Sequence, residues 1–251
     1  LPMTVTFEFA SGQLVELGRT ESLALASQAL PDGAYTTFRT FHGARVLRLA
    51  DHLRRLEETV ALEGQAAVLE KEAVQRAVAQ ALDLTRYPES RLRITFAPPR
   101  LFASIEPFAP LPERCHREGV ACVTLPLHRE NPRAKDTRFI ATAASVYGKL
   151  PPGVHEGLLV SDDGAVLEGL SSNFFGIRDG VLMTEEGDVL PGITREVVLE
   201  VAAGVLPVSR VAVRSEDLAT LAEAFITSAS RGILPVVRID GAAVGMTKGA
   251  R

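Results

Sequence analysis

Asp162-Asp-Gly-Ala-Val-Leu-Glu-Gly-Leu-Ser-Ser-Asn-Phe-Phe-Gly-Ile-Arg-Asp-Gly180, followed by Leu190-Pro-Gly-Ile-Thr-Arg195, is the stretch on which the reading of this chain turns. Its two aspartate–glycine pairs, Asp163-Gly164 and Asp179-Gly180, favour tight β-turns and predict two hairpins. Pro191-Gly192-Ile193-Thr194 then introduces a helix from about Arg195 to Gly204. A turn ending in Gly-Ile-Thr before an apolar helix leaves backbone N–H groups pointing outward. Thr194 can cap that end with its hydroxyl. The same N–H groups, with the helix dipole, suit a phosphate. A plain N-cap is the commoner meaning of such a turn taken alone.

Upstream, Gly33–Phe41 and Ala44–Leu49 are short runs rich in aromatic and β-branched residues, joined at His42-Gly43 like a hairpin. Leu49, Leu53, Leu56 and Val60 recur at helical spacing and mark one apolar face. Gly64 is placed to end that helix in a left-handed conformation. A second helix is predicted over about Ala66–Leu84, then strands at Arg91–Ala97 and Ala103–Ala109 around Pro98-Pro99. Ala109-Pro-Leu-Pro-Glu-Arg114 is proline-bearing and polar, the best candidate for a domain boundary. Val120–Leu127 reads as a strand and Phe139–Leu150 as a helix stopped by Pro151-Pro-Gly153. A short helix near Glu216–Ala222, a strand at Ala224–Thr227 and a hairpin at Asp240-Gly241 follow. These elements predict an α+β fold of two mostly antiparallel sheet domains. They divide as a small α+β domain over 1–108, a linker over 109–119 and a larger α+β domain over 120–251.

Composition narrows the partners. A net charge of −4 gives no electrostatic footprint for nucleic acid and no polybasic membrane patch. No apolar run approaches the roughly 20 residues that span a bilayer, and Leu1–Phe9 alternates like a strand without the charged start of a signal peptide. Cys115 and Cys122 are too few for a disulfide framework and fit a reducing, cytoplasmic setting. With His116 and His128 they match no zinc spacing, so no metal is expected.

Lysine occurs only at positions 71, 135, 149 and 248, which leaves four possible Schiff-base residues. Lys135 lies in the polar stretch Asn131–Arg138. By itself it reads as a solvated loop lysine, whereas a Schiff-base amine must be held in a pocket and kept partly deprotonated. Glu168 ends a strand after a tight turn, where an acid is expected to face solvent unless something cationic lies against it. Arg55 shares a helix face with His52; it can pair with Glu58 or clamp a phosphate.

The order and spacing of these signals resemble the class IV aminotransferase family, which includes branched-chain and D-amino-acid aminotransferases and aminodeoxychorismate lyase. Asp32-Gly-Ala-Tyr-Thr-Thr-Phe-Arg39 looks like the family's early strand and His52-Leu-Arg-Arg-Leu56 like its H-x-x-R-L helix. Gly157–Val160 with Val166–Phe175 resembles its glutamate–asparagine hairpin, and Leu190-Pro-Gly-Ile-Thr-Arg195 its phosphate turn. Ala224–Ser230 with Leu234-Pro-Val236 resembles its last active-site strand.

The resemblance implies fold type IV, the two-domain fold of D-amino-acid aminotransferase, with the larger domain binding pyridoxal 5'-phosphate. It implies that Lys135 forms the internal aldimine and carries protons, and that Glu168 pairs with the pyridine nitrogen. Arg55 and the N–H groups of Ile193 and Thr194 would hold the phosphate. Ser228, Ala229 and Ser230 cover a further phosphate contact, but the aligned residue is Ala229, so the contact moves to a serine or is lost. The substrates implied are an amino acid and a 2-keto acid, with Tyr35, Arg100 and Arg138 as substrate candidates, and the assembly implied is a homodimer. Aminotransfer leads. The pair Thr36-Thr37 stands where many aminotransferases of the group carry glutamate–threonine, and it looks more like the lyase, which eliminates pyruvate. A non-catalytic cofactor-binding homologue is the third reading.

Overall fold

The computed structural model describes residues 3–10 and 12–245. The contacts divide the chain into two compact units. One comprises Leu1–Pro110 with Ala134–Ala141, the other Leu111–Arg133 with Thr142–Arg251.

In the first unit the strands are β1 (Thr4–Ala10), β2 (Gln13–Thr20), β3 (Ala34–Phe41), β4 (Arg45–Val46), β5 (Ser90–Ala97) and β6 (Arg100–Pro107). They form one antiparallel sheet in the order β2-β1-β6-β5-β3-β4. The helices are α1 (Leu23–Gln28), α2 (Leu49–Leu62) and α3 (Lys71–Thr85). On β3 the buried residues Ala34, Thr36, Phe38 and Thr40 alternate with half-buried ones, the period-two signature of a sheet with one packed face.

Helix α2 buries Leu53, Leu56 and Val60 as its spacing predicts, and with them the polar His52, Arg55 and Thr59. It ends as expected at Gly64, whose φ of 79° is left-handed. The Gly64 N–H bonds Ala61 O and the Gln65 N–H bonds Val60 O, which satisfies two orphan carbonyls. Helix α3 starts at Lys71, later than Ala66. Glu57 accounts for the delay: it accepts from the Leu69 N–H at 2.8 Å and pairs with Lys71 at 3.1 Å, holding the approach extended. Strand β6 starts at Arg100 because the hairpin loop is only Pro98-Pro99.

Ala134–Ala141 joins this unit by backbone pairing. Ala34 bridges Asp136, the Tyr35 N–H donates to Lys135 O at 2.8 Å, and the Thr137 N–H donates to Gly33 O at 3.0 Å. Gly33 must be glycine here. A Cβ would sit 2.5 Å from Phe96 O.

The second unit starts with the short helix α4 (Glu113–Arg117), inside the stretch read as linker, and continues with β7 (Val120–Leu125). Helix α5 (Arg138–Tyr147), which belongs to this unit from Thr142 on, leads to β8 (Val154–Val160), β9 (Val166–Gly169), β10 (Ser172–Arg178) and β11 (Val181–Met183). Then come α6 (Ile193–Ala202), β12 (Val208–Ser209), a 3-10 turn at Ser215–Thr220, β13 (Glu223–Ser228), β14 (Gly232–Ile239) and β15 (Ala242–Ala243). The sheet runs β12-β11-β10-β13-β14-β7-β8-β9, and a β9–β10 pairing closes six of these strands into a ring. Three contacts are parallel: β14 with β7, β7 with β8, and β11 with β12. Leu158, Phe174, Leu221, Ile226 and Val236 form the main core, and α6 packs Leu199 and Ala202 against Phe175. No described helix is long and apolar enough to cross a membrane.

Candidate active site

Two constellations of candidate residues are present, one in each unit. In the first, His52, Arg55 and Thr59 lie one below another on the buried face of α2. The Thr36 Oγ1 accepts from Arg55 at 2.9 Å and lies 2.6 Å from His52 Nδ1. Burial first, then the charges of Arg55 and Lys135, hold His52 well below the usual imidazole range. Thr36 Oγ1 thus bridges Arg55 and the imidazole.

Lys135 is fixed on both sides of its main chain, by Tyr35 and by an N–H bond to Thr59 Oγ1 at 3.2 Å. Its Nζ lies 4.8 Å from the centroid of the Tyr35 ring. Tyr35, Arg55 and Lys135 therefore lie close together in this unit. Of the other lysines, Lys71 pairs with Glu57, Lys149 is exposed behind α5, and Lys248 lies outside the described residues.

Arg100 and Arg138 do not join this group. Arg100 is 51% exposed and pairs with Glu8 at 2.7 Å; Arg138 is 65% exposed and pairs with Asp136 at 2.6 Å and with Glu63. Arg93, buried on β5, lies 5.1 Å from the Tyr35 ring and is held by Thr37 and Ser27.

In the second unit Glu168 is 3% exposed and does not face solvent. The cation that makes this burial tolerable is Arg129, itself 10% exposed, at 3.2 Å from Oε1. Arg129 was not singled out in the sequence, where it sits in a polar loop with no distinguishing pattern. The other carboxylate oxygen accepts from the Leu190 N–H at 3.1 Å and from Asn173 Nδ2 at 3.3 Å.

Asn173 also donates to Leu190 O at 2.8 Å, and a Cβ on Gly192 would fall 2.1 Å from its Oδ1. One hydrogen-bonded unit thus ties the Glu168 carboxylate to the turn that begins α6. The helix starts at Ile193, not Arg195, and its N-cap is Gly192 with no side-chain cap bond. Thr194 is consequently the second residue inside the helix and does not cap it, contrary to expectation. Ile193 and Thr194 open a helix end with no capping side chain, as an anion site requires. Ser228 ends β13; Ala229 and Ser230 form the half-buried turn that follows.

The first unit thus holds an amine and an arginine, and the second a buried carboxylate and an uncapped helix start, each a kind of group that can bind a phosphorylated pyridine. The sequence profile described as Amino-transferase class IV matches residues 33–239. The chain belongs to that family. Enzymes of this class depend on pyridoxal 5'-phosphate, and this class IV enzyme is one of them.

A Methanocaldococcus jannaschii protein provisionally named a branched-chain-amino-acid aminotransferase is 28% identical over 84% of this chain and 79% of its own length. The branched-chain aminotransferase of the archaeon Thermoproteus uzoniensis, solved with norvaline, superposes with a TM-score of 0.77 at 23% identity, over 99% of this chain and 90% of that one. The 4-amino-4-deoxychorismate lyase of Pseudomonas aeruginosa gives 0.74 at 24%, over 97% and 94%. At these identities the superpositions establish the fold, type IV, for this class IV aminotransferase.

Proposed function

We propose that the enzyme transfers an amino group between an amino acid and a 2-keto acid, with Lys135 as the residue that bonds the cofactor. The observation that carries the cofactor assignment is Glu168, a buried carboxylate bonded to Leu190 just ahead of the uncapped start of α6. Bound pyridoxal phosphate supplies an electron sink that makes the Cα–H bond of an amino acid labile.

The chain's own residues do the rest. Lys135 Nζ would hold the cofactor and move the substrate proton. Glu168 would accept from the pyridine N–H. Arg55, held through Thr36, and the N–H groups of Ile193 and Thr194 bind the phosphate. Tyr35, beside Lys135, orients substrate; Arg100 and Arg138 would reach substrate only by leaving their acidic partners. The M. jannaschii relative supports transfer as the reaction.

One observation favours the alternative, elimination of pyruvate from aminodeoxychorismate. Thr36, where many relatives carry glutamate, is bound up with His52 and Arg55 in place of a free acid. The assay is amino-donor turnover with a keto acid, run beside pyruvate release from aminodeoxychorismate. Pyruvate without transfer would overturn the first reading. Borohydride followed by peptide mapping should fix the cofactor on Lys135, and Lys135→Ala should abolish turnover. Label on another lysine would refute the assignment. A homodimer is the assembly proposed, to be checked by sedimentation.

A further inference from the structure

Glu168 stands on a strand too short to place it alone. Strand β9 has four residues, and its ladder to β10 holds only two pairs, Gly169 with Ser172 and Glu168 with Asn173. Leu170 and Ser171 make the turn between them. Successive side chains on a strand alternate in direction, so Ser172 points away from the face that carries Asn173 and Glu168. On that opposite face the turn is gripped by a buried ion pair.

Glu156, on β8, is fully buried. Its Oε2 accepts from the Ser172 hydroxyl at 3.0 Å, from the Ser171 hydroxyl at 3.2 Å and from Arg231 Nη2 at 3.1 Å. Its Oε1 accepts from Tyr147, on α5, and from the Gly157 N–H at 3.2 Å. Arg231 lies in the turn between β13 and β14 and also shares Nη2 with Ser171 O at 3.1 Å and Ser171 Oγ at 2.8 Å. Its Nε donates to Ser228 Oγ at 3.1 Å, and its Nη1 lies 3.3 Å from His155 Nε2. The fit is as close at the backbone. A Cβ on Gly169 would fall 2.2 Å from Ser172 Oγ and 2.9 Å from Glu156 Cγ, so these side chains fill the space beneath the residue next to Glu168.

Stability alone does not call for charge here, because well-packed apolar side chains often serve as well as a buried ion pair. What a bonded polar network supplies is one arrangement in place of several. We infer that the Glu156–Arg231 pair is a positioning device for Glu168. It fixes the Leu170-Ser171 turn from behind and so sets where the Glu168 carboxylate meets the pyridine nitrogen of the cofactor. The inference rests on the cofactor reading above.

The test has two readouts on the full chain. The first is the preference for pyridoxal 5'-phosphate over 1-deazapyridoxal 5'-phosphate, in which a C–H replaces the ring nitrogen. Glu168→Gln sets the full loss of that preference, about 10-fold for a bond to a charged group. Ser171→Ala/Ser172→Ala removes the hydroxyls that tie the turn to Glu156 and leaves the ion pair whole. It should lose about 3- to 10-fold of the preference, and Glu156→Gln at least as much. Adding Glu168→Gln to either variant should leave the preference no lower than in Glu168→Gln alone, because the pair acts through that carboxylate.

The second readout needs no cofactor. The Leu190 N–H, which donates to Glu168 Oε2, should exchange with deuterium about 10-fold faster in the serine double variant. The Val166 N–H, bonded to Val213 O at the far end of β9, should exchange at its original rate. Unchanged cofactor preference together with unchanged Leu190 exchange overturns the inference. So does equal acceleration of both amides, which would make the pair merely structural. If borohydride fixes no cofactor on Lys135 in the unaltered chain, the proposed function fails, and the exchange comparison alone decides whether the pair places Glu168.

Discussion

Gly192→Ala isolates the contact that joins the α6 turn to the β9–β10 hairpin. The Gly192 backbone, at φ −69° and ψ 138°, is open to any residue, so alanine meets no backbone strain there. What it meets is Asn173 Oδ1 at 2.1 Å, a separation that real Cβ atoms do not show. Turn and asparagine must part by about 1 Å, the scale on which active-site geometry is lost.

Overpacking of this kind costs about 1–3 kcal/mol. In a chain of this size that lowers Tm by roughly 2–4 °C per kcal/mol. Cofactor affinity should fall as well, since the displaced segment carries the Ile193 and Thr194 N–H groups. Asn173→Ala alone loses the bonds to Leu190 O and Glu168, at about 1–3 kcal/mol for the groups left unpaired. In the double variant the collision is gone. Alanine at 192 should then cost less than about 0.5 kcal/mol more, a coupling of at least about 0.5 kcal/mol. Urea unfolding of the four proteins, with a cofactor titration of each, measures this. Additive losses within about 0.5 kcal/mol would refute the idea that this contact seats the helix start.

Glu168→Gln should retain the cofactor yet slow proton abstraction, read by single-turnover absorbance; an unchanged rate would remove its role opposite the pyridine nitrogen. His52 has a folded pKa well below its unfolded value near 6.5. The unfolded chain therefore binds the extra proton first, so this group's share of stability is intact above about 6.5 and is lost as pH falls toward the folded pKa. Urea midpoints from pH 7 to 5 should drop more steeply for the native chain than for His52→Gln, and parallel curves would count against it. Burial pushes the Cys122 thiol up to about 12, so a thiol reagent at pH 8 should label only Cys115 in the folded protein. Prompt labelling of Cys122 would mean that the second core opens readily.

The hairpins and α2 were legible because their signals are local. Asp179 at φ 53° and Gly180 at φ 74° adopt the left-handed pair that an aspartate–glycine turn demands. Strand β2 was missed because it is a sheet edge whose residues are mostly exposed, which leaves no alternation to read. Helix α1 was missed too, being little more than one turn. The burial of Glu168 could not be inferred from its neighbours in sequence. It depends on Arg129, far away in the chain, and pairings of that kind leave no periodic trace. Thr194 misled for a different reason: a threonine at a helix start reads as a cap, but Gly192 has already taken the N-cap position. The Ser228–Arg231–Glu156 arrangement joins the end of β13 and the turn after it to β8, and was invisible for the same long-range reason.

Because the main chain at Lys135 is pinned by Tyr35 and Thr59, the amine behaves as a tethered arm on a fixed hinge. Its travel is confined to the four-carbon stem. Any proton it carries between two atoms of a bound substrate moves by rotamer exchange, a fast local motion, and calls for no rearrangement of the backbone around it.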